Sequence, residues 1–271
     1  MILTKAPVRM SFFGGGTDME SFFKENGGAV LSTTFDKYCY VNVRHLPRFF
    51  DYSTELSYSK TERVTNIDDI QHPAIRNAMK MLDMHEIRLT YEADLPALSG
   101  LGTSSSFAVG MLNAFYALKG KYADKKKLAD EAIYLERNLC QEAAGKQDKT
   151  AKMKEMLALV DDAERVLTDK NADLDDFGRM LDHTWKLKRQ TGAAVSTNSI
   201  DELYDRGIAA GALGGKLLGA GGGFLVFYVQ PDRQDPVRSA MRDLMHIPFE
   251  IEDGGTRVIH YTPEVYEPKM N

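Results

Sequence analysis

A chain of 271 residues with a formal charge of −5 has no basic block with which to hold a long polyanion, which argues against nucleic acid as a partner. Its 43% hydrophobic and 27% charged residues describe ordinary globular material, enough for one large domain or two small ones. Cys39 and Cys140 are too few for a disulfide framework or a zinc site, the longest apolar run (224–229) is too short to span a bilayer, and "MILTKAPVRM" lacks the apolar core and cleavage site of a leader. The sequence therefore reads as cytoplasmic, with no membrane partner.

The segment 6–18, "APVRMSFFGGGTD", is an extended run ending in three glycines. In 27–46, Tyr38 and Tyr40 alternate with Cys39, Val41 and Val43, which is strand periodicity. Ile75, Ala78, Met79 and Leu82 recur at helical spacing, and Ile87, Leu89 and Tyr91 then alternate as a strand that stops at Pro96. From Ser104 to Leu118 the apolar residues Phe107, Met111, Leu112 and Phe115 predict a helix. Another begins after Asp124, a suitable N-cap, and its Lys125–Lys127 run reads as a solvated face. Beyond Asp148 the texture is helical: 150–167, 173–190 and 200–213, the last stopping at Gly214 and Gly215. A buried strand (223–230), a helix (235–245) and a final strand (256–262) complete the chain. A strand-rich first half and a helix-rich second half predict an α+β fold in two lobes, 1–148 and 149–271, with the ligand in the cleft between them.

Three segments carry more glycine than turns require: 6–18, then 94–115 ("DLPALSGLGTSSSFAVGMLNAF"), then 211–227 ("GALGGKLLGAGGGFLVF"). Glycine permits positive φ and lets a ligand approach the backbone, and amides at a helix start point outward at an anion. The second segment has no Lys-Ser/Thr pair to close a P-loop, and Ser105 stands where a dinucleotide fingerprint needs its third glycine. Its hydroxyls are open to two readings, an over-capped helix or a phosphate cradle with a serine oxygen on magnesium.

The three segments, in this order, resemble the three motifs of the GHMP kinases. The strings "RMSFFGGGTD", "GGAVLS", "KYCYV", "LSYSKTERV", "HPAIRNAM", "GKQD", "WKLKR" and "GALGGKLLGAGGGFLVF" are most similar to the D-glycero-D-manno-heptose 7-phosphate kinases, with fucokinases as near relatives. The resemblance implies an N-terminal lobe like a ribosomal-protein domain with a left-handed βαβ crossover and a ferredoxin-like C-terminal lobe. It implies ATP and Mg²⁺ as cofactors and a small sugar phosphate as partner. The reaction would phosphorylate the anomeric hydroxyl of heptose 7-phosphate to the 1,7-bisphosphate, on the way to nucleotide-activated heptose. A fucokinase and a non-catalytic sugar and ATP sensor are the alternatives. Oligomeric state stays open, a homodimer included.

By the same resemblance, Gly100, Leu101, Gly102, Thr103, Ser104 and Ser105 form the phosphate loop. Asp148 takes or orients the acceptor proton, and Glu136 ligates magnesium together with Ser104, Ser105 being the alternative serine. Motif one faces the sugar: Gly14, Gly15, Gly16 and Thr17 allow close approach, Asp18 accepts from hydroxyls, and Arg9 meets a phosphate or the transition-state charge. Lys188 and Arg189 are candidates to grip the far phosphate. Gly219 to Gly223, with Gly221 and Gly222 central, approach from the second lobe, and Lys216 is exposed or structural. The helix dipole supplies only about 0.3–1 kcal/mol, so metal and direct amide bonds must carry the triphosphate. One departure stands out. After "GKQD" the chain runs straight into a helix, and the strands left over ("GFLVFYV", "PFEI", "RVIHY") are too few for a ferredoxin-like sheet. Either the second lobe is reduced or a stretch is missing near Asp148 to Thr150, the reading favoured here.

Overall fold

The computed structural model describes residues 1–96, 99–140, 150–192, 195–219 and 223–264. Its first lobe is built on β1 (Ile2–Phe13), which pairs antiparallel with β2 (Leu31–His45) from Ile2↔Val43 to Phe13↔Leu31. β2 pairs antiparallel with β5 (Ile87–Ala93), and β5 runs parallel to β3 (Thr54–Ser57), which forms a hairpin with β4 (Thr61–Val64). The parallel pair needs a crossover. It is supplied by α2 (Pro73–Met81), whose start is capped by the His72 ring accepting from the Ile75 amide.

One face of this sheet is covered by α3 (Thr103–Leu118), which is buried almost all round against β1 and β2. Gly110 allows the approach: a Cβ there would sit 3.4 Å from Ala6 Cβ, and the Gly110 carbonyl accepts from Thr4 Oγ1 at 2.9 Å. Next comes α4 (Lys125–Tyr134), N-capped by Asp124, whose carboxylate accepts from the Lys127 amide at 2.7 Å. It ends in a π-helical turn, Leu135–Leu139.

The short α1 (Glu20–Asn26) follows the first glycine turn. The second lobe consists of α5 (Thr150–Thr168), α6 (Asp175–Arg189), α7 (Asn198–Ala209), a hairpin of β6 (Gly214–Leu218) and β7 (Phe224–Tyr228), and α8 (Gln234–Ala240). Gly214 lets β6 lie directly on α6, since a Cβ would stand 1.9 Å from the Gly178 carbonyl oxygen. Trp185, Tyr204 and Leu217 fill the core between α6, α7 and β6. Phe13, at the end of β1, packs with Val160, Ala163, Phe177 and Leu181 of α5 and α6, so the first strand anchors both lobes.

Three sequence expectations change. The last strand, β8 (Arg257–Tyr261), joins the first sheet at the free edge of β1, in the order β4-β3-β5-β2-β1-β8. "PFEI" follows it there: Ile251 bridges to Phe35, and the Glu250 carbonyl accepts from the Asp36 amide. And 214–218, read only as a helix stop, is a strand buried at every position, so no alternation marked it. Among the described residues the second lobe thus holds two strands, both in the β6–β7 hairpin. The lobe limits 1–148 and 149–271 meet at residues outside the described ones. Among the described residues no helix is long and apolar enough to cross a membrane.

Candidate active site

β1 delivers Arg9 and then breaks into the Gly14–Thr17 turn. Gly14 has φ +75, and a Cβ would stand 2.0 Å from the Ala29 carbonyl oxygen. Its glycine is required by the packing of two backbones, not by a ligand. Thr17 is fully buried, with its hydroxyl placed 2.8 Å from the Gly14 and Ala29 carbonyls and accepting from the Ala29 amide at 3.2 Å. Expected at the sugar, Thr17 instead closes the turn. Gly15 is open: the nearest atom to a Cβ there is Lys188 Nζ, at 3.6 Å. Gly16 is similarly roomy, and its amide donates to Asp18 Oδ1 at 3.0 Å, which leaves the exposed Asp18 with a second oxygen.

The second glycine segment passes through left-handed backbone at Gly100 (φ +73) and Gly102 (φ +69) before α3 begins. Gly102 is the N-cap residue and no side chain caps the helix. The hydroxyl cluster is therefore not an over-capped start, and the first amides of α3, on Thr103, Ser104 and Ser105, have no intrahelical acceptor. The side chains divide. Leu101 is buried in the core and offers only its backbone, its carbonyl accepting from the Arg9 amide at 2.9 Å. Thr103 is buried and Ser104 is exposed. Ser106 Oγ donates to the Pro7 carbonyl at 2.9 Å, and Ser105 Oγ donates to Glu136 Oε2 at 3.1 Å.

Of the two serines offered for the metal, Ser105 meets the carboxylate and Ser104 does not. The π-helical turn brings Glu136 to Ser105, a local irregularity often found at functional sites. Arg137, next in the same turn, reaches the Asp18 carbonyl at 3.4 Å and lies over the Phe23 ring.

The motifs meet backbone to backbone. The Arg9 side chain lies against Gly102, where a Cβ would be 2.9 Å from Arg9 Cγ. Gly219 of motif three lies against Gly100, and Gly223 against the Ser99 carbonyl, 2.4 Å from where its Cβ would be. Gly221 and Gly222 lie outside the described residues, as does Asp148.

On α6 the two basic candidates part, because neighbours on a helix point about 100° apart. Arg189 pairs with Asp201 at 3.0 Å and lies over the Tyr204 ring, so it serves the α6–α7 packing and not the cleft. Lys188 turns to Gly15, where burial pushes its ammonium below the ordinary lysine range and nearby Asp18 partly restores it.

Lys216 is the residue that sequence reasoning placed least well. It is 3% exposed, and its Nζ donates to the carbonyls of Ser11 (2.7 Å) and Phe12 (3.1 Å). Burial first, then the charges of Lys188 and Arg9, push it down to about 7. The available signal was a lysine inside an otherwise apolar and glycine strand.

The family described as GHMP kinases N terminal domain matches residues 70–155, and GHMP kinases C terminal matches 161–247, together well over half the chain. The chain is a GHMP kinase. The first match starts after motif one, so it is the contact of Arg9 with Gly102 that joins motif one to the family's loop.

Among its relatives is the D-glycero-alpha-D-manno-heptose 7-phosphate kinase of Campylobacter jejuni, 24% identical over 89% of this chain and 93% of that one. Their alignment runs over 317 positions, whereas 89% of 271 residues is about 241, so some 75 positions of the relative face no residue here. This GHMP kinase is thus shorter within the shared span. In fold it is similar to a D-glycero-D-manno-heptose 1-phosphate kinase from Bacteroides thetaiotaomicron, with a TM-score of 0.77 at 21% identity over 98% of this chain and 100% of that one. The Methanococcus jannaschii mevalonate kinase is also similar in fold, with a TM-score of 0.67 at 17% identity over 95% of this chain and 98% of that one.

Proposed function

We propose that this GHMP kinase is an ATP-dependent sugar kinase that transfers a phosphoryl group to the anomeric hydroxyl of D-glycero-D-manno-heptose 7-phosphate in the cytoplasm. The observation that carries the reading is the meeting of the glycine-rich motifs at one corner. That corner has cationic side chains on its motif-one side and the Ser105–Glu136 pair on its α3 side.

Phosphoryl transfer asks a protein mainly for positioning and charge neutralisation. The uncapped amides of Thr103, Ser104 and Ser105, with the glycine backbone before them, receive the nucleotide phosphates. Ser105 Oγ and Glu136 Oε2, two hard oxygen donors in contact at the helix start, suit Mg²⁺, which takes few protein ligands and keeps waters and phosphate oxygens. When bound it neutralises phosphate charge. Arg9, held against Gly102 and bonded to Ser11 Oγ at 2.7 Å, is fixed between the two substrates and stabilises charge on the transferred group. Lys188 holds the far phosphate of the sugar over the open Gly15 and Gly16, and Asp18 accepts from a sugar hydroxyl. Asp148 is assigned from the family motif as the group that receives or orients the acceptor proton.

The test is turnover of ATP, Mg²⁺ and heptose 7-phosphate followed by phosphorus NMR, with a new anomeric phosphate signal expected. A product phosphorylated elsewhere rejects the regiochemistry, equal or better turnover of L-fucose favours a fucokinase, and ligand binding without turnover favours a sensor. Asp148→Asn is expected to abolish turnover while ATP still binds; retained turnover removes Asp148 from the mechanism.

A further inference from the structure

The reaction outlined above does not use Lys216. It lies midway along β6, and its side chain crosses from the second lobe to the end of β1, where it bonds the Ser11 and Phe12 carbonyls. An ammonium has three N–H donors, so one is left without a partner among the described residues. Ser11 also receives Arg9 Nη1 at 2.7 Å, and Lys188 Nζ stands over Gly15, four residues further on. Three cations on three elements thus converge on one stretch of backbone: Arg9 from β1, Lys188 from α6, Lys216 from β6. None of them has an ion pair among the described residues. Among the described residues the acid that acts on Lys188 is the exposed Asp18, and one of its oxygens holds the Gly16 amide. Gathering half-buried like charges around a buried ammonium is unfavourable unless something anionic joins them.

We propose that Lys216 is a positioning residue that turns this corner into an anion subsite. It holds the carbonyl end of β1 beneath Arg9 and Lys188 and, protonated when an anion joins it, adds a third positive charge, so that the acceptor is selected by a phosphate group and not by its hydroxyls alone. The inference rests on the kinase reading for which substrate occupies the corner.

Two variants separate the parts. Lys216→Gln keeps an N–H for the carbonyls and removes the charge; Lys216→Met removes both. The full chain is saturated with Mg²⁺ and a non-hydrolysable ATP analogue, which fills the α3 end, and is then titrated calorimetrically with inorganic phosphate. Wild type is expected to bind phosphate, both variants to bind it at least about tenfold more weakly, and affinity for the analogue to change less than about twofold. Lys216→Arg is expected to retain phosphate binding. A purely structural role would lower Tm in Lys216→Met yet leave phosphate affinity intact in folded Lys216→Gln, and that result overturns the proposal. So does a wild type that binds no phosphate. Should Lys216→Met fail to fold, Lys216→Gln decides alone. Loss of phosphate binding in Lys216→Gln without any turnover of heptose 7-phosphate would leave the subsite standing and reject only the assigned sugar.

Discussion

Gly100 and Gly219 touch through their backbones: a Cβ on Gly100 would stand 2.0 Å from Gly219 Cα, and one on Gly219 would stand 2.5 Å from Gly100 Cα. Both hold positive φ, +73 and +86. Neither contact nor conformation admits a side chain, and together they set the distance between the start of α3 and the end of β6. Alanine at either position has to push the two loops apart. A displacement of about 1 Å in a positioned site costs roughly 100-fold in rate. A fall of that order in kcat/KM for ATP is expected from Gly100→Ala and Gly219→Ala, with the circular dichroism spectrum retained. Steady-state kinetics check it, and a fall below about threefold would show that the contact does not position the nucleotide.

Ser105 and Ser104 differ in what they meet, since only Ser105 bonds Glu136. Ser105→Ala and Glu136→Gln are each expected to raise the Mg²⁺ concentration for half-maximal rate by about tenfold or more, because a site with few protein oxygens loses much with each. Ser104→Ala is expected to shift it less than about threefold. A magnesium titration of the initial rate distinguishes them, and a larger shift from Ser104→Ala than from Ser105→Ala would return the choice of serine to Ser104.

Lys188 and Arg189 give a second contrast between neighbours. Lys188→Met is expected to raise KM for the sugar phosphate about tenfold or more, the worth of one charge-assisted hydrogen bond, with KM for ATP held. Arg189→Met breaks a partly exposed pair with Asp201 and costs no more than about 1 kcal/mol of stability, leaving both KM values in place. Kinetics together with urea denaturation read both outcomes. A rise in sugar KM from Arg189→Met alone would reverse the assignment.

Lys216 makes stability depend on pH. Its ammonium titrates near 10.5 when unperturbed and near 7 in the fold, so between those values the unfolded chain holds a proton that the folded chain has released. Stability then rises with pH across that window, and the full penalty of the buried charge applies below about 7. Lys216→Met has no such group. The stability of wild type relative to the variant is therefore expected to grow from about pH 7 to about pH 10 in urea denaturation of the ligand-free chain. A flat difference would mean that Lys216 keeps an ordinary lysine's proton affinity.

Where the relevant physics is local, the sequence carried it. Alternation at 38–43 became β2, the 75–82 spacing became α2, and Asp124 caps α4 as its position before an apolar-periodic run implied. The glycine segments were legible because no other residue tolerates those turns and contacts. What one residue does relative to its neighbour was not legible. Ser104 and Ser105, or Lys188 and Arg189, differ by about 100° around a helix axis, and only the packing of the π-helical turn and of α7 decides which of each pair faces the site. The final strand carries a strand's composition, but composition does not say which sheet edge accepts it, and it closes on β1.

The amino-acid sequence by itself thus determined the α+β class and the order of the three glycine-rich motifs, because these follow from periodicity and from backbone conformations only glycine supports, while the resemblance of the motif strings pointed to the family that the family models match. The tertiary structure alone decided that Thr17 and Gly14 build the first turn, that Arg9 lies on Gly102, and that Lys216 crosses between lobes to the end of β1. Those outcomes depend on contacts between residues up to about two hundred positions apart in the chain. Such contacts arise only when the two lobes bury their shared core around Phe13, and no local pattern encodes them.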